Sequence, residues 1–195
     1  MSTAAAFQLI VGLGNPGSRY EGTRHNAGFW FVAALAAQQG VALRESTKFH
    51  GWHGQWVTER GVVHLLCPAT FMNHSGRSVS AIVNFYRLAR PNVLVVHDEI
   101  DLAPGVLRLK ENGGHGGHNG LRDIVSALGG SDFCRLRIGV GHPGSSDLVV
   151  PYVLGEPGRD EKAVIHSGIE AGLLCVPDLM SGHWARAQQA LHRRD

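Results

Sequence analysis

The chain reads as a single α/β domain, a mixed twisted β-sheet with helices on both faces. Three observations predict it. Short apolar runs alternate along the chain with stretches whose apolar residues recur at helical spacing, as strands alternating with helices require. One pair of runs is separated only by a short turn ending in glycine, which adds a hairpin to a sheet otherwise built by crossovers. At 195 residues and 44% apolar content, the chain can build one real core and is short of the length at which chains divide.

Residues 7–11 are the first apolar run, ended by Gly12 as expected of a buried strand, and a polar loop follows to Asn26. Asn26 is placed as a helix N-cap, Trp30, Phe31, Ala34 and Leu35 share one helical face, and Gly40 stands where a C-terminal glycine cap belongs. Residues 51–58 and 62–67 read as the hairpin, with Glu59, Arg60 and Gly61 as its turn and Pro68 as its stop. Ser75 is expected to cap a helix carrying Val79, Ile82, Val83 and Tyr86. Residues 93–96 then form a strand ending at His97, Asp98 and Glu99, which delivers acidic groups to a strand C-terminus. Residues 106–110 alternate in strand fashion, 113–120 are a glycine loop, 121–128 return to helix and 136–140 are the next strand. From about residue 160 the tail carries two helical patterns, with Leu179, Trp184 and Leu191 assigned to the last, and no repeat or linker divides residues 1–195. In such sheets ligands collect beyond the carboxyl ends of the strands, where the sequence places Asn15, Asp98 and the glycine loop.

Composition narrows the class further. The 26 glycines against 8 prolines are clustered, which points to tight backbone approaches and not to a collagenous or disordered chain. Cys67, Cys134 and Cys175 have no metal-like spacing and cannot all pair, so a reducing, cytoplasmic setting is expected. The opening segment lacks a basic n-region and runs straight into a glycine loop, against a signal peptide or a membrane anchor. Formal net charge is only +2, yet Arg19, Arg24, Arg108, Lys110, Arg122, Arg135 and Arg137 gather near the glycine-rich segments. That pattern suits a phosphate-bearing partner, and also an ordinary solvated surface.

Candidate chemistry begins in the polar loop before the first helix, which holds Asn15, Tyr20, His25 and Asn26. A lone histidine near a helix start more often caps or packs, but Asp98, at the end of an apolar strand, supplies a partner in a cleft wall. A carboxylate accepting one imidazole N–H fixes the tautomer, stabilises the imidazolium and leaves the other nitrogen to deprotonate water. There is no G-x-S-x-G elbow, so water is the economical nucleophile. Asn73 and Asn119 each precede a helix pattern, where side-chain amides and free backbone N–H groups can donate to an oxyanion, although turn or N-cap roles are open to both. The run GGHGGHNG could bind phosphate through backbone N–H groups or metal through His115 and His118, but dispersed cysteines and the lack of H-E-x-x-H leave a metal site poorly supported.

Four blocks in order carry a family resemblance: GLGNPG with Tyr20 and TRHNAG; ATFMNHSG at 69–76; VVHDEIDLAPG; and GGHGGHNGL followed by RLRIGVGHP. Together, over almost the whole chain, they resemble the bacterial-type peptidyl-tRNA hydrolase family. The resemblance implies a monomeric α/β enzyme, without metal or other cofactor, that cleaves the ester between a peptide and the 3′ end of tRNA and recycles tRNA from stalled translation. It implies His25 as catalytic base and Asp98 as its support, in agreement with the reading of the residues themselves. It also implies substrate binding by Asn15, which would distinguish a blocked amine from a free one, and by Tyr20, Phe71, Asn73 and Asn119. An aromatic ring or Met72 can pack beside the terminal adenine or the peptide. Arg108 and Lys110 resemble the family's clamp on tRNA phosphate, with Arg where Lys is common, while Cys67 and His74 depart from the usual pattern.

Two other classes compete. Gly12, Gly14 and Gly17 satisfy G-x-G-x-x-G after a strand, as in dinucleotide-binding oxidoreductases. However, Asn15, Pro16 and more polar loop follow where a helix should open, and no acidic ribose ligand appears near residues 38–40. A non-enzymatic RNA-binding module is compatible with the basic clusters but leaves the His25 and Asp98 pairing without a purpose.

Overall fold

The structure, a computed structural model, describes residues 7–192. The reading of the opening segment as neither leader nor anchor falls largely on residues 1–6, which lie outside the described residues. The strands are β1 (Leu9–Gly12), β2 (Arg44–Ser46), β3 (Gly51–Thr58), β4 (Gly61–Pro68), β5 (Val93–Glu99), β6 (Leu107–Glu111) and β7 (Cys134–Gly139). They form one sheet in the order β2-β3-β4-β1-β5-β7-β6. The central neighbours β4, β1, β5 and β7 run parallel, while β2 and β3 at one edge and β6 at the other pair antiparallel. The helices are α1 (Ala27–Gln38), α2 (Ser75–Tyr86), α3 (Asn119–Leu128), α4 (Val149–Val153), α5 (Arg159–Met180) and α6 (Trp184–His192).

The apolar runs of β1 and β5 are continuous because both sheet faces are covered. Alternation along the strands divides them between two cores. Ile10, Leu94 and Val96 pack with Phe31 and Leu35 of α1 and with Ile165, Ile169 and Leu179 of α5. Leu9, Val11, Val93 and Val95 pack on the other face with Val79 and Ile82 of α2 and Leu121 and Ile124 of α3. By length and composition α5 could cross a membrane, but its residues Ile165, Ile169, Cys175, Val176, Leu179 and Met180 belong to the first of these cores. Glycine permits the close seating of α1: a Cβ on Gly28 would lie 2.3 Å from the Val96 carbonyl oxygen, and one on Gly12 would lie 2.2 Å from that of Gly28. This approach carries the start of α1 to the end of β5.

Several local expectations need correction. Ser75 is the first residue of α2, not its cap, because its hydroxyl donates back to the Met72 carbonyl at 2.7 Å. Pro68 is the last residue of β4, not the stop beyond it. Leu179 belongs to α5, which runs through Pro177 to Met180; the missing proline N–H removes one hydrogen bond while Cys175, Val176 and Leu179 stay buried in the core. Strand β2 and helix α4 escape the sequence pattern: one has three residues, largely exposed, and the other has five residues with Pro151 inside.

Candidate active site

The loops that follow the four parallel strands leave their carboxyl ends on one side of the sheet. With the glycine loop ahead of α3 they enclose a cleft of about 570 Å³. The loop after β1 contributes Asn15, Tyr20 and His25, and the loop after β4 contributes Phe71, Met72 and Asn73. Asp98 comes from the end of β5 and Asn119 from the start of α3. The structure therefore brings these eight residues into one cleft. Arg108 and Lys110 lie apart from it on the edge strand β6, where Arg108 Nη1 donates to the carbonyls of Leu107 at 2.9 Å and Leu191 at 3.4 Å.

His25 sits in a single helical turn, Arg24–Asn26, that leads into α1. Its Nδ1 lies 3.0 and 2.9 Å from the two oxygens of Asp98, which is 3% exposed. A carboxylate can only accept here, so Nδ1 carries the proton and Nε2 is the basic nitrogen. Burial works against a charged His25, but the charge and hydrogen bond of Asp98 outweigh it and raise the pKa above 6.5. Burial alone would raise the Asp98 pKa; His25 and His118 reverse this and hold it well below the usual carboxylate range.

The second partner of Asp98 is His118, for which the sequence offers only packing, hydrogen bonding or a surface place. Its Nε2 lies 2.9 Å from Asp98 Oδ1, while its Nδ1 accepts the backbone N–H groups of Gly120 at 3.2 Å and Leu121 at 3.4 Å. The histidine thus caps α3, making Asn119 the first helical residue. Two N–H donors aimed at Nδ1 make it the accepting nitrogen, so His118 donates to Asp98 through Nε2. His97 lies behind this pair, its ring 5.0 Å from that of His118 and its Nδ1 donating to the Asp98 carbonyl at 2.7 Å. Burial, with His118 nearby, pushes its pKa down to about 3. The H-D-E run gave the place of His97, but nothing in the sequence distinguished its inward side.

Ligand atoms of His25, Asp98 and His118 lie within 4.8 Å of one another, close enough to hold a metal ion. The capping bonds argue against that use. A neutral imidazole that ligates through Nε2 must carry its proton on Nδ1, and here that proton would point at two backbone N–H groups.

Asn26 stands at the N-cap position of α1 but makes no capping bond. Its side chain instead clasps Asn15, accepting from the Asn15 N–H at 2.9 Å and donating to the Asn15 carbonyl at 3.0 Å. Asn15 Oδ1 accepts the Met72 N–H at 2.7 Å, which orients the side chain and leaves its NH₂ group as donor to the cleft. Free backbone N–H donors are scarcer than the sequence suggested: Gly76 N–H is taken by Asp123 at 2.7 Å, and those of Gly120 and Leu121 by His118.

The basic cluster also divides. Arg24 is buried against Glu161, and Arg135 is buried with its guanidinium on the carbonyls of Asn112 at 2.7 Å and Gly114 at 3.0 Å. Arg19, Lys110 and Arg122 are exposed, with Arg108 and Arg137 half-buried. The dinucleotide alternative loses its context, since α1 opens at Ala27, well past Gly17, and β2 is an antiparallel edge strand.

A family model described as peptidyl-tRNA hydrolase matches residues 9–195. A peptidyl-tRNA hydrolase from Methylococcus capsulatus is 52% identical over 185 residues, covering 95% of this chain and 98% of the relative. One from Halorhodospira halophila is 53% identical over 186 residues, covering 95% and 96%. The crystal structure of peptidyl-tRNA hydrolase from Acinetobacter baumannii superposes with a TM-score of 0.93 at 49% identity, covering 98% of this chain and 97% of that one.

Proposed function

The chain belongs to the peptidyl-tRNA hydrolase family, and from that premise we propose that it hydrolyses the ester joining a peptide to the 3′-terminal ribose of tRNA. The observation that carries the mechanism is the His25–Asp98 pair at 2.9 Å inside the cleft. His25 Nε2 takes a proton from water, the resulting hydroxide attacks the ester carbonyl, and Asp98 stabilises the imidazolium that forms. The tetrahedral intermediate collapses with departure of the ribose oxygen, which recovers the proton from His25. Free tRNA and peptide are the products.

The remaining roles belong to the same proposal. The Asn15 NH₂ donates to the carbonyl oxygen of the peptide group next to the ester, and so favours an N-blocked substrate. Asn73 and Asn119 supply amide donors to the oxyanion. Tyr20 and Phe71, whose ring centroids are 6.3 Å apart in edge-to-face contact, form with Met72 an apolar surface for the terminal adenosine. Arg108 and Lys110 on β6 hold tRNA phosphate at a distance from the chemistry. The enzyme acts as a single-domain monomer in the cytoplasm and uses no metal, the last supported by the tautomer that His118 is held in. A hydrolysis assay on matched N-acetyl-aminoacyl-tRNA and unblocked aminoacyl-tRNA, with and without chelator, tests this. Turnover of the blocked substrate alone, indifferent to chelator, is expected; turnover of neither, or loss with chelator, would overturn it.

A further inference from the structure

The residue before the catalytic base has a separate set of partners. Arg24 is 9% exposed, and its guanidinium reaches α5, where Nε and Nη2 pair with the two carboxylate oxygens of Glu161 at 2.8 and 2.9 Å. The same guanidinium donates through Nη1 to the carbonyls of Tyr152 at 3.1 Å and Gly155 at 3.3 Å, and lies 4.0 Å over the Tyr152 ring. The Arg24 backbone N–H also donates to the Gly155 carbonyl at 3.1 Å. Only a planar fork of donors can serve a carboxylate and two carbonyls at once.

What Arg24 holds is α4 and the turn after it. A five-residue helix containing Pro151 has little stability of its own, so its place depends on such ties. Its residues Val149, Val150 and Val153, with Leu154, line the cleft that contains His25. Val150 is 60% exposed and Leu154 38%, an uncovered apolar surface beside the reacting centre.

We infer that Arg24 and Glu161 are positioning residues for peptide selection: their ion pair fixes the apolar α4 wall relative to His25, so that peptides with an apolar side chain next to the ester are preferred. This rests on the peptidyl-ester reading of the same cleft. Arg24 acts from one residue away and touches no reacting atom.

The test compares kcat/KM for N-acetyl-leucyl and N-acetyl-glycyl esters of one tRNA. Wild type should favour the leucyl substrate. Glu161→Gln keeps the shape of the side chain but removes the charge, and should lower that preference about fourfold, the worth of one buried methylene. The loss should appear in KM, with the pH profile of kcat unmoved. Val150→Ser, at an exposed position, should lower the preference too, and the double variant should lower it no further than the larger single effect, because both act through one wall. A Glu161→Gln variant with reduced Tm but the wild-type preference would make the ion pair merely structural. A wild type with no leucyl preference, or an unchanged ratio in Val150→Ser, would remove the apolar subsite even if Glu161→Gln did not fold. Failure of wild type on both substrates would instead defeat the hydrolase reading beneath it.

Discussion

Asp98→Asn separates the arrangement seen in the cleft from a simple loss of charge. Asp98 accepts from two histidines, His25 through Nδ1 and His118 through Nε2, at 2.9 Å each. An asparagine has one acceptor oxygen and one NH₂. His118 cannot change tautomer, since Gly120 and Leu121 N–H groups occupy its Nδ1, so it retains the oxygen. The NH₂ then faces His25, whose Nδ1 must become an acceptor, and the proton moves to Nε2, the nitrogen needed as base. Restoring the productive tautomer would leave a buried N–H unpaired, at a cost of about 1–3 kcal/mol. The lost hydrogen bond to the charged imidazolium costs about 1.5–3 kcal/mol more, giving a fall in kcat of about 10²- to 10⁴-fold. The assay is single-turnover hydrolysis of N-acetyl-aminoacyl-tRNA, with thermal unfolding to verify the fold. Adding His118→Asn keeps a capping oxygen for α3 but removes the competing donor, so the double variant should recover about tenfold over Asp98→Asn. A folded Asp98→Asn variant within fivefold of wild type, or a double variant slower than the single, would refute the reasoning.

Three further outcomes are expected. Asn15→Asp keeps an acceptor for the Met72 N–H but turns a carboxylate oxygen to the cleft in place of the NH₂ donor. The kcat/KM ratio of blocked over unblocked aminoacyl-tRNA should therefore narrow; an unchanged ratio would leave Asn15 a turn residue. Replacing Arg108 and Lys110 together by Gln should raise KM for full-length tRNA and flatten its logarithmic salt dependence by about 0.9 for each phosphate that is no longer neutralised, so an unaltered slope would move the phosphate site elsewhere. His64, hydrogen-bonded to His53 at 2.9 Å, is pushed down to about 4 by burial and by that neighbour. Its folded pKa lies below its ordinary 6.5, so its contribution to stability is present above pH 6.5 and lost as pH falls toward 4. His64→Leu should make the decline of Tm across that window shallower, and an equally steep decline would assign acid sensitivity to other groups.

Much of this molecule is legible in its sequence for a physical reason. Where apolar periodicity is sustained, as at Ile10, Val95, Ile82 and Ile124, burial decides the element and its inward face. The His25–Asp98 pairing is legible because both residues lie on the carboxyl-end side of the parallel strands, His25 in the turn that leads into α1 and Asp98 near the end of β5. What escaped depends on partners far along the chain. His118 lies 20 residues from Asp98, and its role turns on which nitrogen faces the start of α3. Arg24 looked like part of a basic surface because its partner, Glu161, is 137 residues away. Asn26 matched a cap by position, yet its amide serves Asn15 across the loop, a choice that local propensity does not contain.

The central claim is that His25 Nε2 activates water under the control of Asp98. Single-turnover hydrolysis of N-acetyl-aminoacyl-tRNA as a function of pH, in wild type and His25→Ala, tests it most directly. Because Asp98 raises the His25 pKa, the wild-type rate should climb with pH through a midpoint above 6.5 as the imidazole loses its proton. His25→Ala should lose about 10²- to 10⁴-fold in rate together with that rising limb. A folded His25→Ala variant that kept both the wild-type rate and the same midpoint would contradict the account.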